Sequence, residues 1–149
     1  MEIGITEQLN MSMVKGSKLY QEWDKHNQLS GYLTVILYEL ILRGKLTQRE
    51  LVDLSGMPKQ SINKGIRILQ EKEYLQMTVD QKDKRIKFCE LTESGKLYAQ
   101  KKIQPLFELE NKTAEKMGIE KMEMLLNLSD EWNDTFSHFL KEQKGKENK

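Results

Sequence analysis

Hydrophobic positions recur at two different periods along the chain, and the switches between them mark out the elements. Over residues 5–28, Ile5, Leu9, Met13, Tyr20 and Trp23 return every three to four positions, which predicts an amphipathic helix with an interruption at Gly16. Ser30-Gly31 marks a break, with Ser30 placed to cap the next helix. Residues 32–43, YLTVILYELILR, are apolar nearly all round, and a helix without a polar face is buried, so this stretch predicts a central core helix stopped by Gly44.

The next elements are shorter. Thr47-Gln-Arg-Glu50 fits a capping box for a helix over 48–54, with Leu51 and Leu54 inward. Ser55-Gly-Met-Pro58 supplies a tight turn, Gly56 in the left-handed region and Pro58 at the first position of a second helix over 58–72. On that helix Ile62, Ile66 and Leu69 lie within about 40° of one another and form the inward stripe. Gln60, Asn63, Lys64 and Arg67 take the opposite side, which carries amides and bases where an ordinary solvated face mixes lysine with glutamate. Gly65 sits inside the helix at a cost of roughly 1 kcal/mol relative to alanine. The period then drops to two. Residues 74–79 and 85–91 alternate as the strands of a hairpin, and the polar residues 80–85 form its tip.

Thr92 is placed to cap a helix over 93–116 with Leu97, Ile103, Leu106, Phe107 and Leu109 inward; Pro105 should bend or break it. After Met117-Gly118 a last helix spans about 119–142, its apolar set including Leu125, Trp132, Phe136 and Phe139, and residues 143–149 read as a frayed, disordered tail. The elements predict a single chain of mainly α (α+β) class: a winged helix-turn-helix over 32–92, flanked by helices at 5–28 and 93–142.

Charge changes the picture in one place. The net charge of +1 argues by itself against a polyanionic partner, but residues 43–90 carry 11 basic groups against 7 acidic ones. That excess coincides with the helix-turn-helix and doubles in a dimer, giving a footprint for phosphates. Amides pair with adenine edges, and arginine or lysine with guanine or phosphate, so the 58–72 helix suits a DNA major groove. No apolar run approaches the ~20 residues of a membrane span, and the one cysteine, Cys89, excludes an intrachain disulfide, so a cytoplasmic protein is expected. There is no phosphate-binding loop, HExxH or Gly-x-Ser-x-Gly, and an enzyme is not expected. His26, His138 and Cys89 lack metal-ligand spacing, and no metal or cofactor is expected.

The hairpin residues Asp80-x-Lys82-Asp83-x-Arg85, followed by Leu91-Thr92-x-x-Gly95, carry a specific resemblance. The chain resembles the MarR family of bacterial winged-helix transcription factors, whose wing reads D-x-R-D-x-R before a strand and L-T-x-x-G. The resemblance implies that Asp83 orients Arg85 at a DNA minor groove, with Lys82 standing where arginine is usual and offering no planar fork. From the charge of the tip itself, Lys82, Lys84 and Arg85 are placed to reach a minor groove or phosphate, and Lys59 and Ser61 join Gln60, Asn63, Lys64 and Arg67 among the expected DNA contacts. Glu73 departs from the pattern, since the family usually has glycine between recognition helix and strand.

The resemblance also implies a homodimer through the terminal helices, an imperfectly palindromic operator with half-sites about one turn, roughly 34 Å, apart, and repression as the commoner mode. A small aromatic or amphipathic effector is implied as well; Tyr20, Trp23, His26 and Tyr32 are its candidate contacts, or else core and interface aromatics. Two alternatives remain: a winged helix that docks proteins and not DNA, and a redox-responsive regulator using Cys89.

Overall fold

The hydrophobic run after Ser30 forms the helix around which the rest packs. The computed structural model describes residues 2–148. In order they form α1 (Ile5–His26), α2 (Gly31–Arg43), β1 (Lys45–Leu46), α3 (Gln48–Ser55), α4 (Lys59–Glu71), β2 (Leu75–Val79), β3 (Lys87–Leu91), α5 (Glu93–Met117) and α6 (Ile119–Glu147). This is the mainly helical winged-helix architecture that the patterning predicts. Ile36, Leu37 and Leu40 of α2 are buried, as are Leu51 of α3, Ile62 and Leu69 of α4, and Leu75 and Cys89 of the sheet. Gly65, unexplained by the sequence, is a packing residue: a Cβ there would lie 2.5 Å from Ile36 Cδ1 and 3.0 Å from Tyr32 Cδ2. Its absence lets α4 sit tightly against α2.

The sheet has the antiparallel order β1-β3-β2, with Leu46 and Met77 both opposite Cys89. Two residues carry no period, so β1 was not visible in the patterning. Arg85 and Ile86 belong to the loop, and β3 begins at Lys87.

Helix ends differ in detail from expectation. Thr47 Oγ1 accepts from the Glu50 amide at 3.1 Å, but it also donates to Glu50 Oε1 at 3.0 Å, so the carboxylate meets the hydroxyl and not the Thr47 amide. Ser30 occupies the cap position of α2 without a side-chain bond, and Pro58 is itself the cap of α4. Neither Gly16 nor Pro105 breaks its helix. Residues 143–147 are helical where a frayed tail was expected; Lys144 and Lys146 sit in the last turn, where cations suit the helix dipole. Lys149 lies outside the described residues.

The chain divides into two compact units, one ending at Pro105 and the other beginning at Leu106. In the first, α1 has no buried residue, and Leu54 and Leu97, expected inward, are exposed. In the second, α6 has no buried residue and Leu109 is exposed. Amphipathic patterning marks an apolar face but not whether the same chain covers it. Among the described residues no helix is long and apolar enough to cross a membrane.

Candidate nucleic-acid interface

Helix α4 is aimed by the turn before it and fixed by the turn after it. Gly56, at φ +64°, ends α3, while Ser55 Oγ donates to the Val52 carbonyl at 3.0 Å and accepts from the Met57 amide at 3.1 Å. At the other end the Tyr74 amide donates to the Leu69 carbonyl and the Glu73 amide to that of Gln70, both at 2.9 Å. This is a Schellman arrangement, and it places Glu73 in the left-handed region at φ +61°. The departure at Glu73 therefore keeps the glycine-type turn and strains it.

The L-T-x-x-G sequence explains how that turn is held. The Thr92 and Ser94 hydroxyls both donate to the Glu73 carbonyl, at 2.7 and 3.1 Å, and the Thr92 amide donates to the Tyr74 carbonyl at 3.1 Å. Thr92 Oγ1 also caps α5 by accepting from the Gly95 amide at 3.0 Å. A Cβ at Gly95 would run into the Tyr74 carbonyl, so only glycine allows this approach. The start of α5 thus clamps the junction between α4 and the hairpin.

With Ile62, Ile66 and Leu69 buried, Lys59, Gln60, Lys64 and Arg67 stand exposed together on α4. Lys64 Nζ lies 5.7 Å from the centroid of the Tyr32 ring, a cation–π support from behind. Two expected members do not join this face. Ser61 is half-buried and borders a cleft toward the α1–α2 turn, and Asn63 is half-buried with Oδ1 enclosed and unpartnered among the described residues. Both sit on the flanks of the helix, where a helical wheel does not decide the side.

At the wing, Arg85 Nε and Nη2 donate to the two oxygens of Asp83 at 3.0 and 3.1 Å, and the Arg85 amide donates to Asp83 Oδ1 at 3.1 Å. The Arg85 side chain is nonetheless 90% exposed. Asp83 therefore fixes the fork and leaves it open to a partner. These bonds from Arg85 hold the Asp83 carboxyl below the usual carboxylate range. The loop is closed by the Asp80 amide on the Ile86 carbonyl and the Ile86 amide on the Asp83 carbonyl, and Lys82 and Lys84 are exposed beside it. One basic residue of this surface escaped the sequence reading: Arg49 in the first turn of α3, which with Gln48 and Lys59 borders a groove of 340 Å³. The signal was its place in the first helix of the motif, which usually crosses the DNA backbone.

The effector candidates separate. Tyr32 lines a cleft of 510 Å³ with Asp24, Lys25 and Leu29 of the α1–α2 junction and Met57 and Ser61 of the helix-turn-helix. Tyr20, Trp23 and His26 are not among its lining residues; they belong to other sides of α1, since the cleft takes up the side carrying Gln21, Asp24 and Lys25. Cys89 is fully buried in the sheet with its sulfur 3.7 Å from Met77 Sδ, and burial pushes its thiol pKa up to about 11. A protonated, enclosed thiol is a poor redox sensor, which removes the physical basis of that alternative. Among the described residues no cluster of His, Cys, Asp and Glu is arranged to hold a metal.

Comparison with known proteins places this geometry. Residues 34–86 match the MarR family. An uncharacterised HTH-type transcriptional regulator of Bacillus subtilis, YwaE, is 34% identical over 61 residues, covering 41% of this chain and 36% of that protein. The match thus spans little more than a third of that relative. Among solved structures, NMB1585, a MarR family regulator from Neisseria meningitidis, superposes with a TM-score of 0.85 at 21% identity, over 95% of this chain and 99% of that one. NadR, solved with 4-hydroxyphenylacetate, superposes with a TM-score of 0.70 at 18% identity, over 88% of this chain and 93% of that one. At these identities the superpositions show a shared fold.

Proposed function

We propose that the chain is a member of the MarR family, whose model matches residues 34–86, and that it is a sequence-specific DNA-binding transcription regulator acting as a homodimer. One observation carries the reading: the exposed Lys59, Gln60, Lys64 and Arg67 of α4 stand beside a wing whose Arg85 is forked by Asp83 yet open to a partner. In this reading α4 enters the major groove and supplies base contacts. Arg85 reaches the adjacent minor groove, and Lys82, Lys84 and Arg49 neutralise phosphates.

The dimer reading rests on apolar faces that each unit leaves open. In α1, Ile5 and Met13 are exposed; in α6, Leu125, Leu128, Phe136 and Phe139 are exposed, with half-buried Trp132 between the two pairs continuing the same helical stripe. Pairing of two copies would bury them and set two α4 helices about one DNA turn, roughly 34 Å, apart. The operator is then an imperfect palindrome, and the commoner outcome of occupying it is repression. A small aromatic effector is part of the proposal, supported by NadR having been solved with one. Selection of bound fragments from a randomised DNA pool tests the reading: it should return a palindromic site with half-sites about one turn apart. Enrichment of no sequence over the starting pool would overturn it.

A further inference from the structure

The 510 Å³ cleft is built from groups that the DNA-facing surface does not use. Asp24, in the last turns of α1, is half-buried, and its Oδ1 accepts from the hydroxyl of buried Thr34 at 2.6 Å. That bond fixes the carboxylate. Oδ2 has no partner among the described residues and faces the cleft beside Gly31, where a Cβ would lie 3.4 Å both from it and from Met57 Cε. Tyr32 offers an aromatic surface, Leu29 and Met57 apolar walls, and Ser61 a hydroxyl. Lys25 also borders the cleft, but it is exposed and its long side chain is free to turn to solvent, whereas Asp24 is held. Burial raises the pKa of Asp24 and the Thr34 bond offsets only part of that effect, so a cationic donor at Oδ2 would stabilise the charged carboxylate further.

We propose that this cleft binds a small aromatic amine, its ring packed on Tyr32 and its ammonium donating to Asp24 Oδ2. The inference deepens the effector reading above and rests on it only for the consequence at DNA. That consequence follows from position: Pro58 and Ser61 at the start of α4 border the cleft, and the Tyr32 ring also supports Lys64 from behind. An occupant therefore touches the recognition helix on the side away from DNA.

The test compares tyramine with 4-hydroxyphenylacetate, which share a phenol ring and carry tails of opposite charge, by calorimetric titration of the full chain without DNA. Tyramine should saturate one site per chain and bind at least about tenfold more tightly than the acid, the scale of one charged hydrogen bond. Asp24→Asn, which keeps an oxygen to accept from Thr34, should weaken tyramine by about tenfold or more, and Lys25→Ala should leave it unchanged. Tyr32→Leu should also weaken tyramine and provides a second variant should Asp24→Asn fail to fold. Absence of tyramine binding, preference for the acid, or undiminished binding by a folded Asp24→Asn or Tyr32→Leu variant would overturn the proposal. Because the readout needs no DNA, it stands or falls separately from operator binding.

Discussion

At the scale of single residues, the turn between recognition helix and wing stores a measurable strain. Glu73 is exposed yet held at φ +61°, a conformation that costs a side-chain-bearing residue roughly 1–2 kcal/mol. Glu73→Gly removes that cost and returns part of it through the freer unfolded chain, so urea denaturation should show a gain of about 0.5–1 kcal/mol. A loss of stability would mean that the Glu73 side chain makes a compensating interaction. Gly65 has the opposite sign. Gly65→Ala adds helix propensity but drives a methyl into Ile36 and Tyr32, and the overpacking should prevail, at about 1–3 kcal/mol of destabilisation. Asp83 supplies a pH signature. Its folded pKa lies below the unfolded value of about 3.9, so the fork's contribution is present above that value and is lost as pH falls through the lower, folded one. Followed by NMR of the carboxyl carbon, its titration midpoint should lie below about 4 and move back up in Arg85→Ala.

At the scale of elements, what could be read in the chain depended on whether a period existed to read. α4 was legible because Ile62, Ile66 and Leu69 repeat at helical spacing, and their burial fixes where Lys59, Gln60, Lys64 and Arg67 point. The flanks of the same helix were not, since Ser61 and Asn63 sit at the margins of its buried stripe, where both come out half-buried. The wing was legible from D-x-K-D-x-R, but the clamp behind it was not. Nothing in the spacing shows that Thr92 and Ser94 both donate to the Glu73 carbonyl. That clamp makes a prediction of its own. Thr92→Val removes one of the two donors to Glu73 and the cap of α5, so stability should fall by about 1–2 kcal/mol in chemical denaturation. DNA affinity should fall further than the unfolded fraction explains, because the junction aims α4. Equal losses in stability and affinity would assign Thr92 to the fold alone.

At the scale of the whole molecule, DNA binding as proposed requires two chains to present two α4 helices to one duplex. The open apolar faces of α1 and α6 should keep the protein dimeric at micromolar concentration in sedimentation. Replacing Leu128 and Phe136 of α6 by glutamate should yield monomers, as buried like charges oppose pairing. If the exposed basic groups on α4 and the wing bind DNA, affinity must depend steeply on salt. Affinity for the DNA upstream of the protein's own gene should be measured by fluorescence anisotropy between 50 and 300 mM salt, conditions chosen to span about a tenfold range of affinity or more. The logarithm of the association constant should fall linearly and steeply with the logarithm of salt. Arg85→Ala, removing one cation per chain, should flatten that slope by about 1–2 units in a dimer. A salt-insensitive signal, or no signal at any protein concentration, would contradict the claim and leave the winged helix as a protein-docking module.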